Sequence, residues 1–249
     1  MKILTKKYFP EYKKNLKNFS NRYKNFLKNS KDLDFEYLTQ TSSVFSSNIE
    51  WNTLDINSFI NSRATKNFTK DVEEIQNLVN SYKFAEKNIL NESNFLETHK
   101  ISSKTILIPF KRWVYRNEPV WVYWRNWLIY LAVEPEFVKE KMSELFDDVL
   151  ILLKADLSEE EVFYFSSLIH LKFIHIHPFA DWNWRSARLL EKWFLVSKLW
   201  KELWKIRSEE FYFSKRNEYY WNIDLWVNFY ELNYEKSLNF LLMLENSIE

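Results

Sequence analysis

Between residues 177 and 188 the chain reads His177-Pro178-Phe179-Ala180-Asp181-Trp182-Asn183-Trp184-Arg185-Ser186-Ala187-Arg188. A base, a carboxylate, an amide and two guanidinium groups fall within twelve residues, at a loop-to-helix junction. Free N–H groups and the dipole make a helix N-terminus receptive to anions. Arg185 and Arg188, three apart, project from neighbouring positions of the first turn. Asp181 is the hard ligand that suits a Mg²⁺ ion retaining waters and bridging phosphates, and His177 suits a general base near neutral pH. The set is suited to a polyphosphate. The structural alternatives are a helix cap for Asp181, a turn-forming role for Asn183 and surface pairing for the arginines. Phe179 reads as a core anchor beneath the loop.

The stretch resembles the signature of the Fic (filamentation) family, His-x-Phe-x-Asp/Glu-Gly-Asn-Gly-Arg-x-x-Arg. Its two departures, Trp182 and Trp184, both fall on glycines. The chain contains no glycine and twelve tryptophans, although average usage predicts roughly 17 glycines at this length. Some bacterial lineages read UGA as glycine, and translation with a UGA-as-tryptophan code would write tryptophan there. Trp51, Trp113, Trp121, Trp124, Trp127, Trp182, Trp184, Trp200 and Trp226 are read as glycine positions, Trp193 and Trp204 as true tryptophans, and Trp221 is left open.

The resemblance reaches about 200 residues. Arg112-Trp113-Val114-Tyr115-Arg116 resembles the family's Gly-x-Tyr-Arg stretch leading into a β-hairpin flap, continued by Val120-Trp121-Val122-Tyr123. Upstream, Ser46-Ser47-Asn48-Ile49-Glu50-Trp51 resembles the inhibitory motif Ser/Thr-x-x-x-Glu-Gly/Asn. The resemblance implies a mainly α, Fic-type helical bundle with a small hairpin flap. It also implies AMP transfer from ATP, with Mg²⁺, to a Ser, Thr or Tyr hydroxyl of a target protein. His177 would be the base and Asp181 the metal ligand. Asn183, Trp182, Trp184, Arg185 and Arg188 would form the nucleotide site, and Ser46 and Glu50 the inhibitor acting on Arg188. Trp113, Val114, Tyr115, Arg116, Val120 and Trp121 would form the target-docking flap. The alternatives are AMP removal, transfer of another phosphate-containing group, or a catalytically dead binding protein if Trp182 and Trp184 are genuine.

Helices must position these groups. In residues 1–31 ten Lys/Arg face the single acid Glu11. Tyr12, Leu16, Phe19, Tyr23 and Phe26 recur at helical spacing, which predicts an amphipathic helix with a solvated basic face; an anionic partner is the functional alternative. Residues 32–106 read as mostly helical, with polar breaks near 40–48, 52–58 and 91–93. The runs Thr105–Pro109, Val120–Tyr123 and Leu128–Val133 read as strands. Trp124-Arg125-Asn126-Trp127 becomes an Asn-Gly hairpin turn if 127 is glycine. Glu134-Pro135 opens a helix with apolar positions Phe137, Val138, Met142, Leu145, Phe146 and Val149. Ser158-Glu159-Glu160-Glu161 is a capping box, with Leu157 and Val162 as its staple. A further helix spans about Arg185–Leu199 and stops at Trp200, where a left-handed glycine is normal. Phe211–Ile248 again reads as helices. Residues 1–92 form the N-terminal region carrying the inhibitory motif, and residues 93–249 the core.

With 46% hydrophobic and 28% charged residues the composition is globular. A net charge of +1 gives no whole-chain case for nucleic acid or membrane, and nucleic acid is not an expected partner. Without cysteine there is no disulfide framework or thiolate metal site. Residues 8–31 lack the apolar run of a signal peptide, and no run reaches transmembrane length, so a cytoplasmic protein is expected. Self-modification and homodimer formation stay open, as does the metal-ligand reading of His170 and His175 with His177; their neighbours carry no metal pattern. His99 reads as structural.

Overall fold

The computed structural model describes residues 1–124 and 127–248. Helices dominate. The first two, α1 (Phe9–Asn15) and α2 (Phe19–Asn29), replace the single amphipathic helix expected, because Asn18 between them is left-handed at φ 53°. The inward set holds: Tyr12, Phe19, Tyr23 and Phe26 are buried. Ahead of α1, the buried Asp148 carboxylate accepts the backbone N–H groups of Lys2, Ile3 and Leu4 at 2.6–2.8 Å, fixing the start of the chain to the core.

Next come α3 (Phe35–Ile49), α4 (Ile56–Ala64), α5 (Lys70–Lys87) and α6 (Glu92–Ser102). Asp34, Asp55, Thr69 and Asn91 cap their N-termini, each accepting a first-turn N–H. The polar break expected near 40–48 is instead the body of α3. Its hydroxyls turn back onto the helix, Thr41 donating to the Tyr37 carbonyl and Ser43 to that of Thr39. Packing against the protein then overrides weak propensity. Thr105–Pro109 is not a strand either. The Ser103 carbonyl accepts the N–H groups of Ile106 and Leu107, winding the chain into a turn after α6.

The strands β1 (Trp121–Trp124) and β2 (Trp127–Leu131) pair antiparallel, with a register slip between Val122 and Tyr123. Arg125 and Asn126, which carry the expected Asn-Gly turn, lie outside the described residues. Leu131 N–H donates to the Val227 carbonyl at 2.7 Å, tying β2 to the C-terminal region.

Pro135 opens α7 (Pro135–Lys154) as expected. Phe137 is exposed, because it sits one residue off the stripe formed by Val138, Met142, Leu145, Phe146 and Val149. The capping box forms at α8 (Glu159–Ile176): Ser158 Oγ accepts the Glu161 N–H, and the Glu161 carboxylate accepts that of Ser158. This helix is apolar nearly all round and buried from Val162 to Leu171, as a central helix must be. Packed on it is α9 (Asn183–Lys198). Trp200 is extended, φ −111°, so the backbone there does not demand glycine. The C-terminal part includes α10 (Ser208–Ser214) and α11 (Arg216–Ile223), followed by short turns and single-turn helices. The main core draws on residues from Leu4 to Ile248, with a smaller cluster of Val44, Phe59, Val72, Ile75 and Val79 under α3–α5. No described helix is long and apolar enough to cross a membrane.

Candidate functional site

The site forms where α8 ends and α9 begins. His177 follows α8 directly in the left-handed conformation (φ 50°, ψ 58°), and its N–H still bonds the Phe173 carbonyl. That reversal turns the imidazole into a cavity of about 450 Å³, which it lines with Glu50, Tyr130, Trp184, Tyr220 and Asp224 among others. This volume is in the range of small-molecule sites. His177 Nδ1 lies 3.3 Å from the Ile174 carbonyl; donation there places the proton on Nδ1 and leaves Nε2 bare. Burial pushes the His177 pKa down to about 4; the Ile174 carbonyl raises it and Arg116 lowers it further. The ring is neutral at physiological pH, as a base must be.

Phe179 is fully buried and anchors the loop as expected, stacked 3.6 Å from the His99 ring and packed against Phe95 and Phe173. His99 is structural, but its position is more pointed than the sequence implies. Besides stacking on Phe179, it bonds the Arg112 carbonyl and lies 3.2 Å from that of Asp181. Nothing in its spacing from the motif signals this. Arg116 is turned inward rather than out towards a target. It is 5% exposed, donating to the carbonyls of His177 (2.7 Å), Val133 (2.5 Å) and Glu118 (2.9 Å), so it braces the loop that follows α8. Tyr115 is likewise turned inward, its hydroxyl on Glu92. Trp113, Val114 and Trp121 are exposed, and Val120 is half-buried.

Asn183 spends its carboxamide on the loop, accepting the Phe179 N–H and donating to the Phe179 carbonyl, both at 2.8 Å. The turn-forming role therefore accounts for its side chain, and what it can offer an anion is backbone. Asp181 is exposed; one carboxylate oxygen accepts the Trp182 N–H at 2.6 Å, and the cap position of α9 belongs to Trp182. Trp182 is left-handed (φ 69°, ψ 10°), and no side chain caps the first turn of α9. A non-glycine residue held at φ > 0 costs roughly 1–2 kcal/mol. Trp51 is also left-handed at φ 71°.

Arg185 is not a surface residue. It is 9% exposed, stacks 4.1 Å from the Trp182 ring, and its Nε is buried without a partner among the described residues. Glu74 on α5 stands 3.9 Å from its guanidinium. Arg188, 1% exposed, donates to Ser46 Oγ (2.9 Å), the Ser46 carbonyl (2.8 Å), Glu50 (3.1 Å) and the Tyr219 hydroxyl (3.1 Å). Burial works against its charge, yet Tyr219 and Glu50 hold its pKa above the ordinary guanidinium value. The two halves of the chain thus meet where Ser46 and Glu50 were expected to act. His170 and His175 are committed elsewhere, His170 to Tyr219 and His175 to Tyr234 and the Ile223 carbonyl. Among the described residues no group of three or more His, Asp or Glu side chains could hold a metal ion.

Three of the four histidines are buried neutral. Burial lowers His99 and His177 to about 4 and His175 to about 3. Unfolded histidines bind protons near pH 6.5, so the unfolded chain takes them up first as pH falls. Stability is therefore intact above pH 6.5 and declines from there towards pH 3–4. Each histidine contributes up to about 1.4 kcal/mol per pH unit in that window. Thermal melting at pH 7, 6 and 5 should give a steadily falling midpoint; equal midpoints at pH 7 and 5 would contradict the burial of these rings.

Residues 89–195 match the model of the Fic/DOC family. The whole chain is similar to solved Fic structures. For a Fic family protein of Desulfovibrio desulfuricans the TM-score is 0.77 at 20% identity, covering 93% of this chain and 72% of that one. For a Fic domain containing signaling protein of Bacteroides thetaiotaomicron it is 0.69 at 20% identity, covering 93% and 94%. For Fic-1 of C. elegans it is 0.63 at 16% identity, covering 92% and 67%. No curated protein matches the chain by sequence. The fold is the Fic helical fold.

Proposed function

We propose that this chain, with glycine at 182 and 184, is a protein adenylyltransferase whose site is closed by Glu50. One observation carries the reading. A buried neutral histidine stands one short loop before an uncapped helix N-terminus, beside an arginine whose Nε has no partner. Such a site asks for an anion and keeps a base within reach of it.

The α9 N–H groups and Arg185 would bind the phosphates of ATP, and Arg188 would join them once freed from Glu50. Asp181 is the residue that would hold Mg²⁺. A single exposed carboxylate fits an ion that takes its other ligands from water and phosphate, and bound Mg²⁺ offsets charge on the phosphates. The target hydroxyl oxygen forms a bond to the α-phosphorus, and the bond from that phosphorus to the pyrophosphate oxygen breaks. The hydroxyl proton passes to His177 Nε2, pyrophosphate leaves, and the target carries AMP as a phosphodiester. β1 has no strand partner beyond β2 among the described residues, so a target segment can add to this edge by backbone pairing.

Labelled ATP tests the reading. A chain carrying Trp182→Gly, Trp184→Gly and Glu50→Gly should transfer AMP to itself or to protein acceptors, and His177→Ala in that chain should lower the rate by about 10²-fold or more. Undiminished transfer by the His177 variant would remove it as the base. A second reading, removal of AMP from a modified protein, draws on Glu50 lining the same cavity as His177, where it could orient a water. AMP release that is faster with Glu50 than with Glu50→Gly would select it.

A further inference from the structure

We propose that His170 and Tyr219 form a fixed relay that holds Arg188 in its phosphate-binding orientation once Glu50 no longer pairs with it. The inference rests on the reading above, in which Arg188 serves the nucleotide. Three of the four hydrogen bonds described for the Arg188 guanidinium end on α3, at Ser46 and Glu50. Loss of the Glu50 carboxylate removes one of them and leaves the two to Ser46. The fourth, from Nη1 to the Tyr219 hydroxyl, comes from α11 and stays.

Behind that hydroxyl the polar groups continue in one line. Tyr219 Oη is 2.9 Å from His170 Nε2 on α8. His170 Nδ1 lies 3.2 Å from the Glu191 carboxylate on α9. The same Glu191 oxygen accepts the Tyr212 hydroxyl at 2.9 Å. All four side chains are fully buried, where an unmatched polar group is costly.

Proton positions follow from donor chemistry. Arginine only donates, so the Tyr219 oxygen accepts from it. The other partner described for that hydroxyl is His170 Nε2, and the relay assigns the phenolic hydrogen to it. That assignment leaves the ring hydrogen on Nδ1, which lies near the Glu191 carboxylate without a hydrogen bond to it. The proposed order is Arg188 to Tyr219 to His170. Ring packing stiffens it: Tyr212 and Tyr219 stack at 4.9 Å, and Phe240 meets the His170 ring edge-on at 5.1 Å. Tyr219 and His170 are thus positioning residues for Arg188. They touch no reacting atom.

Tyr219→Phe, which deletes one oxygen, tests this in the chain with glycine at 182 and 184 and Glu50→Gly. The expected result is a rise of about tenfold in KM for MgATP with kcat changed less than about threefold, the signature of lost ground-state binding. His170→Gln keeps an acceptor for the Tyr219 hydroxyl and should retain most of the affinity, whereas His170→Phe should match Tyr219→Phe. Nitrogen-15 NMR supplies a readout without catalysis: His170 should show a protonated Nδ1 and a bare Nε2, with Nε2 shifting in Tyr219→Phe. An unchanged KM, or a protonated Nε2, overturns the relay. If the parent chain transfers no AMP, the functional reading fails, and the His170 tautomer still decides whether the relay exists.

Discussion

Calorimetry with MgATP should show binding by the chain carrying Trp182→Gly and Trp184→Gly, and none by the chain with both tryptophans. Trp182 occupies the left-handed cap of α9, where glycine incurs no steric cost and an indole must be accommodated. Its ring lies against the Arg185 guanidinium, the group with a buried N–H to offer. Trp184 lines the cavity beside His177 and packs on Tyr220. On the proposed reading both indoles therefore stand where phosphate and backbone would meet. Hydrogen bonds to charged groups contribute about 1.5–3 kcal/mol each and 1.4 kcal/mol is a factor of ten, so loss of two phosphate contacts alone weakens binding by about two orders of magnitude or more. Stability gives a second reading of the same variants. Removing a tryptophan that belongs to the core costs about 3–5 kcal/mol. If 182 is natively glycine, relief of the left-handed strain offsets part of that cost, and Trp182→Gly should destabilise far less than Trp193→Gly. Equal nucleotide binding by both chains, or tryptophan at 182 and 184 in peptides from the native protein, would refute the glycine assignment and favour a binding protein without catalysis.

In the glycine-restored chain, Glu50→Gly should raise the initial rate of self-adenylylation by about tenfold or more. The Glu50 carboxylate is mostly buried and bonds Arg188 at 3.1 Å. Hydrogen bonds to charged groups contribute about 1.5–3 kcal/mol, and 1.4 kcal/mol is a factor of ten. On the proposed reading the pair would compete with phosphate for the same donors. Ser46→Ala removes one bond to Arg188 and leaves its carbonyl, so its effect should be smaller, within about fivefold. An unchanged rate in Glu50→Gly would assign the pair a purely structural role.

Much of this arrangement could be read from local chemistry. The capping box at Ser158, the proline-led start of α7 and the hairpin runs each rest on rules acting over a few residues, and all formed. The misreadings share a different cause. The Ser/Thr-rich run in α3 reads as a break because propensity counts hydroxyls against a helix, while here they bond its carbonyls and face the core. Arg116 reads as flap because its stretch leads into the hairpin, yet two of its partners, Ile176 and His177, lie about 60 positions away. His99 reaches the motif across 82 residues. No spacing rule covers contacts of that range. Exposure divides the tryptophans only in part. Trp193 and Trp204, read as true tryptophans, are buried, and so is Trp182, whereas Trp51, Trp113, Trp121, Trp200 and Trp226 are 43–61% exposed. Trp221, open in the sequence, is 80% exposed and sorts with the second group.

The buried face of α3 consists largely of hydroxyls and amides, with Leu38, Val44 and Ile49 as its aliphatic residues. Burial of one such aliphatic side chain is worth about 1.5–3 kcal/mol, and Val44 shares the buried cluster of Phe59, Val72, Ile75 and Val79. Departure of the whole helix would wet that cluster, and apolar exposure raises heat capacity. A shift of Glu50 alone off Arg188 would wet none of it, so the two routes to an open site differ in how steeply their balance changes with temperature.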